Sequence, residues 1–203
     1  MKRGLRHLGW IRLSSVIAIV VAALIFVSCG SASPPSQAPT SGAAERAAAS
    51  QTLRQKALAV SRETLGIPAP TATAPVWGVI MDWSMPPGFV TLLALGDGTT
   101  SIYFSTGGGF IGAGQHEEVR KANAAFLAAA SDSVSEMSAT ASFPEPADGQ
   151  VVFYLKTDKG VLTAAATQAE LNGGNRPLSR LFAAAQDVIT QVRLVTQNGT
   201  AGG

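Results

Sequence analysis

Leu178, Leu181, Phe182, Ala185, Val188, Ile189, Val192 and Val195 recur at three- and four-residue spacing. That period predicts an amphipathic helix with one core-facing stripe, and Pro177 suits its first turn because an amide there would be unpaired anyway. Val119, Ala122, Phe126, Ala130 and Val134 share a second helical face within residues 115–137, with Glu117 and Glu118 in the first turn where the helix dipole favours acid. A third helix is expected over residues 43–65, carrying Leu53, Ala57 and Val60 at helical spacing and stopped by Gly66 and Pro68.

Between these helices the pattern changes to short β-rich runs. Residues 76–83 (VWGVIMDW), 89–95 and 101–105 read as three strands, joined by the turn Met85-Pro-Pro-Gly88 and by Asp97-Gly98, a strong hairpin signal. Residues 150–157 and 161–166 form a further hairpin around Asp158-Lys-Gly160, while 107–114, 138–149 and 172–175 read as loops. The order helix, three strands, helix, two strands, helix predicts an α+β fold: an approximately five-stranded, mostly antiparallel sheet, two-layer, with two or three helices packed on one face. In element order alone it resembles profilin-like and roadblock or longin-type modules, and fold by itself does not fix function.

The first forty residues are different in kind. Lys2, Arg3, Arg6 and Arg12 precede the almost purely apolar run 13–27, and the chain's only cysteine, Cys29, closes it. The run is shorter than the roughly 20 residues a bilayer span needs and suits a signal peptide. Ile25-Phe26-Val27-Ser28-Cys29-Gly30 resembles the lipobox of bacterial lipoproteins, with Ser28 as the usual small residue before the cysteine and Phe26 where that family prefers leucine. The resemblance implies cleavage by signal peptidase II before Cys29, a lipid on Cys29, and an exported chain anchored to a membrane of the cell envelope. Residues 1–28 are thus expected as signal and 29–43 as a Ser/Pro/Gly/Ala tether that has too little apolar surface to offset its ordering entropy. A single domain is expected over 44–197 and a disordered tail over 198–203.

Removing the signal changes the charge. Four of the fifteen basic residues lie ahead of Cys29 and all thirteen acidic ones after it, so the chain from Cys29 onward carries eleven against thirteen, a net charge of −2. No Lys/Arg run remains, which removes the electrostatic basis for binding nucleic acid. With one cysteine there is neither an intramolecular disulfide nor a thiolate metal cluster.

Candidate chemistry concentrates after the third strand. Gly107, Gly109 and Gly112 satisfy G-x-G-x-x-G before a helix, with Asp132 twenty residues on. The dinucleotide reading is opposed by Glu117 and Glu118 at the helix end where a phosphate would sit, and by Asp132 falling inside the helix. A milder reading is a glycine loop (Gly107, Gly108, Gly109, Gly112, Gly114, with His116) whose amides bind a small anion, carboxylate or peptide. The plainest is backbone geometry. His116 with Ser101 or Ser105 and Asp82 or Asp97 could be drawn as a hydrolase triad, although no G-x-S-x-G is present. Trp77, Trp83, Phe104 and Tyr154 read as core or sheet-face aromatics. The sequence therefore points to a lipid-anchored envelope module, non-catalytic, with an envelope protein as possible partner and no cofactor or metal; the alternative is a small envelope hydrolase.

Overall fold

The computed structural model describes residues 41–73 and 75–200, so the expected signal over 1–28, Cys29, the expected tether up to residue 40 and residues 201–203 lie outside the described residues. Helix α1 (Ser41–Ala59) opens the described chain, followed by a 3-10 turn (Glu63–Leu65). Strands β1 (Val76–Met85), β2 (Gly88–Leu95) and β3 (Thr100–Phe104) form an antiparallel meander. Asp97 holds the β2–β3 turn by accepting from the Thr99 amide at 2.9 Å, with Gly98 at φ +88°. Next come β4 (Gly109–Phe110), a 3-10 turn (Ala113–Gln115), α2 (Glu117–Asp132) and β5 (Ser138–Thr140). The chain closes with the hairpin β6 (Gln150–Thr157) and β7 (Gly160–Thr167), then α3 (Gln168–Leu171) and α4 (Pro177–Thr200).

Among the described residues the sheet has seven strands in the order β4-β3-β2-β1-β6-β7-β5, every pairing antiparallel. The expected α+β class holds, but the sheet is larger than five strands. The two additions are β4, inside the expected glycine loop, and β5, inside the expected loop 138–149. Two- and three-residue strands are too short for a period-two pattern to register.

The helices do not all share one face, which corrects the two-layer expectation. Alternate residues of a strand point to opposite faces. Val79, Met81, Leu92, Phe153 and Leu155 pack with Phe126 of α2 and Leu181, Phe182 and Val188 of α4. Ile80, Leu93, Leu95, Val152 and Tyr154, from the opposite face, pack with Ala57 and Leu58 of α1. The sheet is therefore sandwiched between helices. The near-continuous apolar runs of β1 and β2 carried that message, since a strand buried on both faces does not alternate.

The stripe on α4 is as expected, with Leu178, Leu181, Phe182, Ala185, Val188 and Val192 buried and Ile189 and Val195 half-buried against the core. The helix continues to Thr200, past the expected end near 197. Helix α2 stops at Asp132 rather than near 137, because the Ser133 hydroxyl turns back to the Ala129 carbonyl (2.8 Å) and a 3-10 turn follows. Helix α1 starts at Ser41, inside the expected tether, and ends at Ala59, so Val60 lies beyond it; its buried face is Ser50, Arg54, Ala57 and Leu58. Helix α3, between the expected strand 161–166 and the expected loop 172–175, is a single turn held by a capping box between Thr167 and Glu170.

Candidate functional site

The glycine loop joins β3 to α2, and geometry accounts for most of its composition. Gly107, Gly108, Gly109 and Gly112 all have positive φ, between +75° and +151°. At Gly109 an added Cβ would collide with the Ile102 carbonyl, and at Gly114 with the Gly98 carbonyl, so no side chain fits at either position. Gly107 lies against α1, where a Cβ would come within 2.6 Å of the Arg46 Cβ. Two amides of the G-x-G-x-x-G pattern are spent inside the loop: Gly107 N donates to the Phe104 carbonyl (2.8 Å) and Gly112 N to Ser101 Oγ (3.3 Å).

His116 is exposed, occupies the residue before α2 in an extended conformation, and makes no side-chain cap to the helix. Its neighbours Glu117 and Glu118 are exposed and share Lys121, at 3.0 and 3.2 Å. Lys121 holds the Glu117 carboxyl below its ordinary value, so the first turn of α2 stays anionic.

The side chains proposed to join His116 in a triad are each engaged elsewhere. Ser101 Oγ accepts from Gly112 N and Ser105 Oγ from Phe89 N (2.8 Å). Asp97 is tied to Thr99, and Asp82 lies buried beneath α1. No hydrogen bond among the described residues links the His116 imidazole to any of these four. The described residues also contain no group of three or more His, Cys, Asp or Glu side chains placed to hold a metal ion.

Between the glycines the loop carries two apolar side chains outward. Ile111 is 70 % exposed and Phe110 38 %, although Phe110 still meets Phe104 edge-on at 6.3 Å between ring centroids. A groove of about 260 Å³ runs on one side of this tip, lined by Arg46, Ser50 and Leu53 of α1 together with Tyr103, Gly108 and Ile111. A second, of about 330 Å³, runs between the loop, His116 and Val195 and Thr196 of α4. Gly109 and Ile111 border both grooves. The structure thus gathers Gly108, Gly109, Gly112 and His116 around an apolar tip.

Of the buried charges under α1, the sequence singles out only Asp82, as a candidate triad acid, and not its partner Arg54 or Lys156. Asp82, fully buried in β1, accepts at Oδ2 from Arg54 Nε (2.9 Å) and Nη2 (2.7 Å) and at Oδ1 from Thr91 (2.5 Å). Burial raises the Asp82 carboxyl above its ordinary value, opposed by the Arg54 guanidinium. Arg54 also donates to the Phe143 and Pro144 carbonyls, both at 3.1 Å, and Tyr154 Oη donates to Pro144 O at 2.8 Å, so one cluster joins α1, the sheet and the loop before β6.

Lys156, 3 % exposed, donates to the Ala57 and Leu58 carbonyls at the end of α1 (3.2 and 2.6 Å) and lies 5.2 Å from the Trp77 ring centroid. Burial pulls its amine down to about 8. It borders a cleft of about 520 Å³ between residues 58–63 and the β6–β7 turn. The only signal available was an acid and a lysine inside otherwise apolar strands.

Among the described residues no helix is long and apolar enough to cross a membrane. The chain matches no protein-family model, no curated protein and no solved structure.

Proposed function

We propose that the chain is a lipid-anchored protein of the bacterial cell envelope, held by a lipid on Cys29, and that its domain is a non-catalytic binding module docking through the glycine-loop tip. The observation that carries the reading is the sequence itself: four basic residues, an apolar run too short to span a bilayer, and the only cysteine of the chain in a lipobox-like setting. The docking surface rests on the exposed pair Phe110–Ile111 and its two flanking grooves. The catalytic alternative lacks such support, because Ser101, Ser105, Asp82 and Asp97 are each bonded away from His116.

Metabolic labelling with a fatty acid tests the anchor. The native chain takes up label, whereas Cys29→Ala leaves an unprocessed precursor that takes up none. A native chain without label would overturn the reading.

A further inference from the structure

We propose that the Phe110–Ile111 tip faces the bilayer that carries the chain's own lipid and inserts into its interfacial region. The proposal rests on lipidation at Cys29 and names the occupant of the docking surface as a lipid surface. Ile111 is the most exposed large apolar side chain of the described residues, and with Phe110 it stands on a loop whose glycines let the backbone project two apolar neighbours outward. Insertion of such side chains by about 5–10 Å is the ordinary depth for an interfacial apolar surface.

Chain connectivity sets the direction. Eleven residues separate Cys29 from Ser41, where α1 begins. Eleven residues of Ser/Gly/Pro-rich composition, taken as a random coil, would have a root-mean-square span of about 18 Å, and no chain of that length exceeds about 40 Å. The end of α1 it joins is the end that carries the loop: Gly107 packs on Arg46, in the second turn, and Arg46 lines the same groove as Ile111. The other end of α1 meets Lys156 and, through Arg62, Asp158 (2.9 Å) in the β6–β7 turn. Nineteen helical residues separate the two ends by about 28 Å. At the root-mean-square span of such a linker, the Ser41 end of α1, with the tip beside it, would lie nearer to the lipid on Cys29 than the β6–β7 turn does. The exposed Arg46 guanidinium beside the groove adds a cation suited to anionic headgroups.

The test uses the full lipidated chain in vesicles of phosphatidylethanolamine and phosphatidylglycerol. A nitroxide is placed on Ile111→Cys or, as the distal control, on Lys159→Cys. The lipid occupies the thiol of Cys29, so the native chain takes no spin label; if it does take label, the anchor reading itself fails and the tip is not in question. The expected result is a several-fold loss of accessibility to an aqueous nickel reagent at residue 111, with a gain in accessibility to oxygen, while residue 159 remains fully accessible to nickel. Ile111→Trp should likewise be quenched by brominated lipid. Residue 111 open to the aqueous reagent while the chain stays anchored would overturn the inference and leave the anchor intact. The inference is also overturned if residue 159 is protected equally, or if residue 111 is protected only in native membranes, which would make the occupant a protein.

Discussion

Towards α2 and α4 the sheet presents Val79, Met81, Leu92, Phe153 and Leu155, and that side of the core contains no buried charged side chain among the described residues. Towards α1 it presents Ile80, Leu93 and Leu95, but interleaved with Asp82, Thr91, Tyr154 and Lys156, while α1 answers with Arg54. The first face is non-directional: burial there scales with apolar area and tolerates any shape that packs. The second is directional. A helix as poor in large apolar residues as α1 has little burial to hold it, and is fixed in position by an ion pair at one point and a lysine on its terminal carbonyls at another. Buried ion pairs are weak sources of net stability, yet removing one partner leaves an uncompensated charge. The two faces should therefore respond to mutation in different ways.

The largest loss is expected on the apolar face. Phe182→Ala removes a fully buried ring that meets Trp83 edge-on at 5.2 Å and should lower unfolding stability by about 3–5 kcal/mol. Ile189→Ala, half-buried, should lose less, as denaturant titration of the two variants will show.

On the charged face Asp82→Ala should cost about 3 kcal/mol or more by stranding Arg54, but the double replacement Arg54→Met with Asp82→Leu should recover most of it. A double-mutant cycle that finds the two losses additive would erase the contrast between the faces.

Lys156 gives the contrast a pH dependence. Its amine is held at about 8 in the fold, against an ordinary value of about 10.4 in the unfolded chain. Between those values the unfolded chain holds more protons, so this group makes stability rise as pH increases from 8 towards 10. Urea unfolding across that range should show the rise in the native chain and lose it in Lys156→Met.

The smallest effects are expected where α1 meets the sheet edge. Gly108→Ala meets no atom within 4 Å and should cost only the left-handed strain, about 1 kcal/mol, whereas Gly107→Ala also collides with Arg46 and should cost more. Equal thermal shifts for the two would show that α1 is not seated on the loop.

The same contrast explains what could be read from the sequence. The α4 stripe and the meander of β1 to β3 arise from spacing and turn residues such as Asp97-Gly98, which are local signals. Arg54 and Asp82 are 28 positions apart and Ala57 and Lys156 are 99 apart, so their pairings exist only once the sheet has formed. Nothing local to Arg54 distinguishes it from a solvated helix residue. At the glycine loop the demand for glycine was legible, but the outward tip was not: Phe110 and Ile111 are as apolar as core residues, and only the backbone's positive φ angles turn them out.

The sheet terminates in β4 and β5, strands of two and three residues. An open sheet normally offers unpaired amides and carbonyls along its borders, and long flat borders recruit other chains. Here the outermost strands offer only two and three residues to a neighbour, β5 covering Val161 to Thr163 of β7. On the proposed anchor, where confinement to a plane would multiply lateral encounters, short outermost strands reduce the length over which one copy could pair with the next.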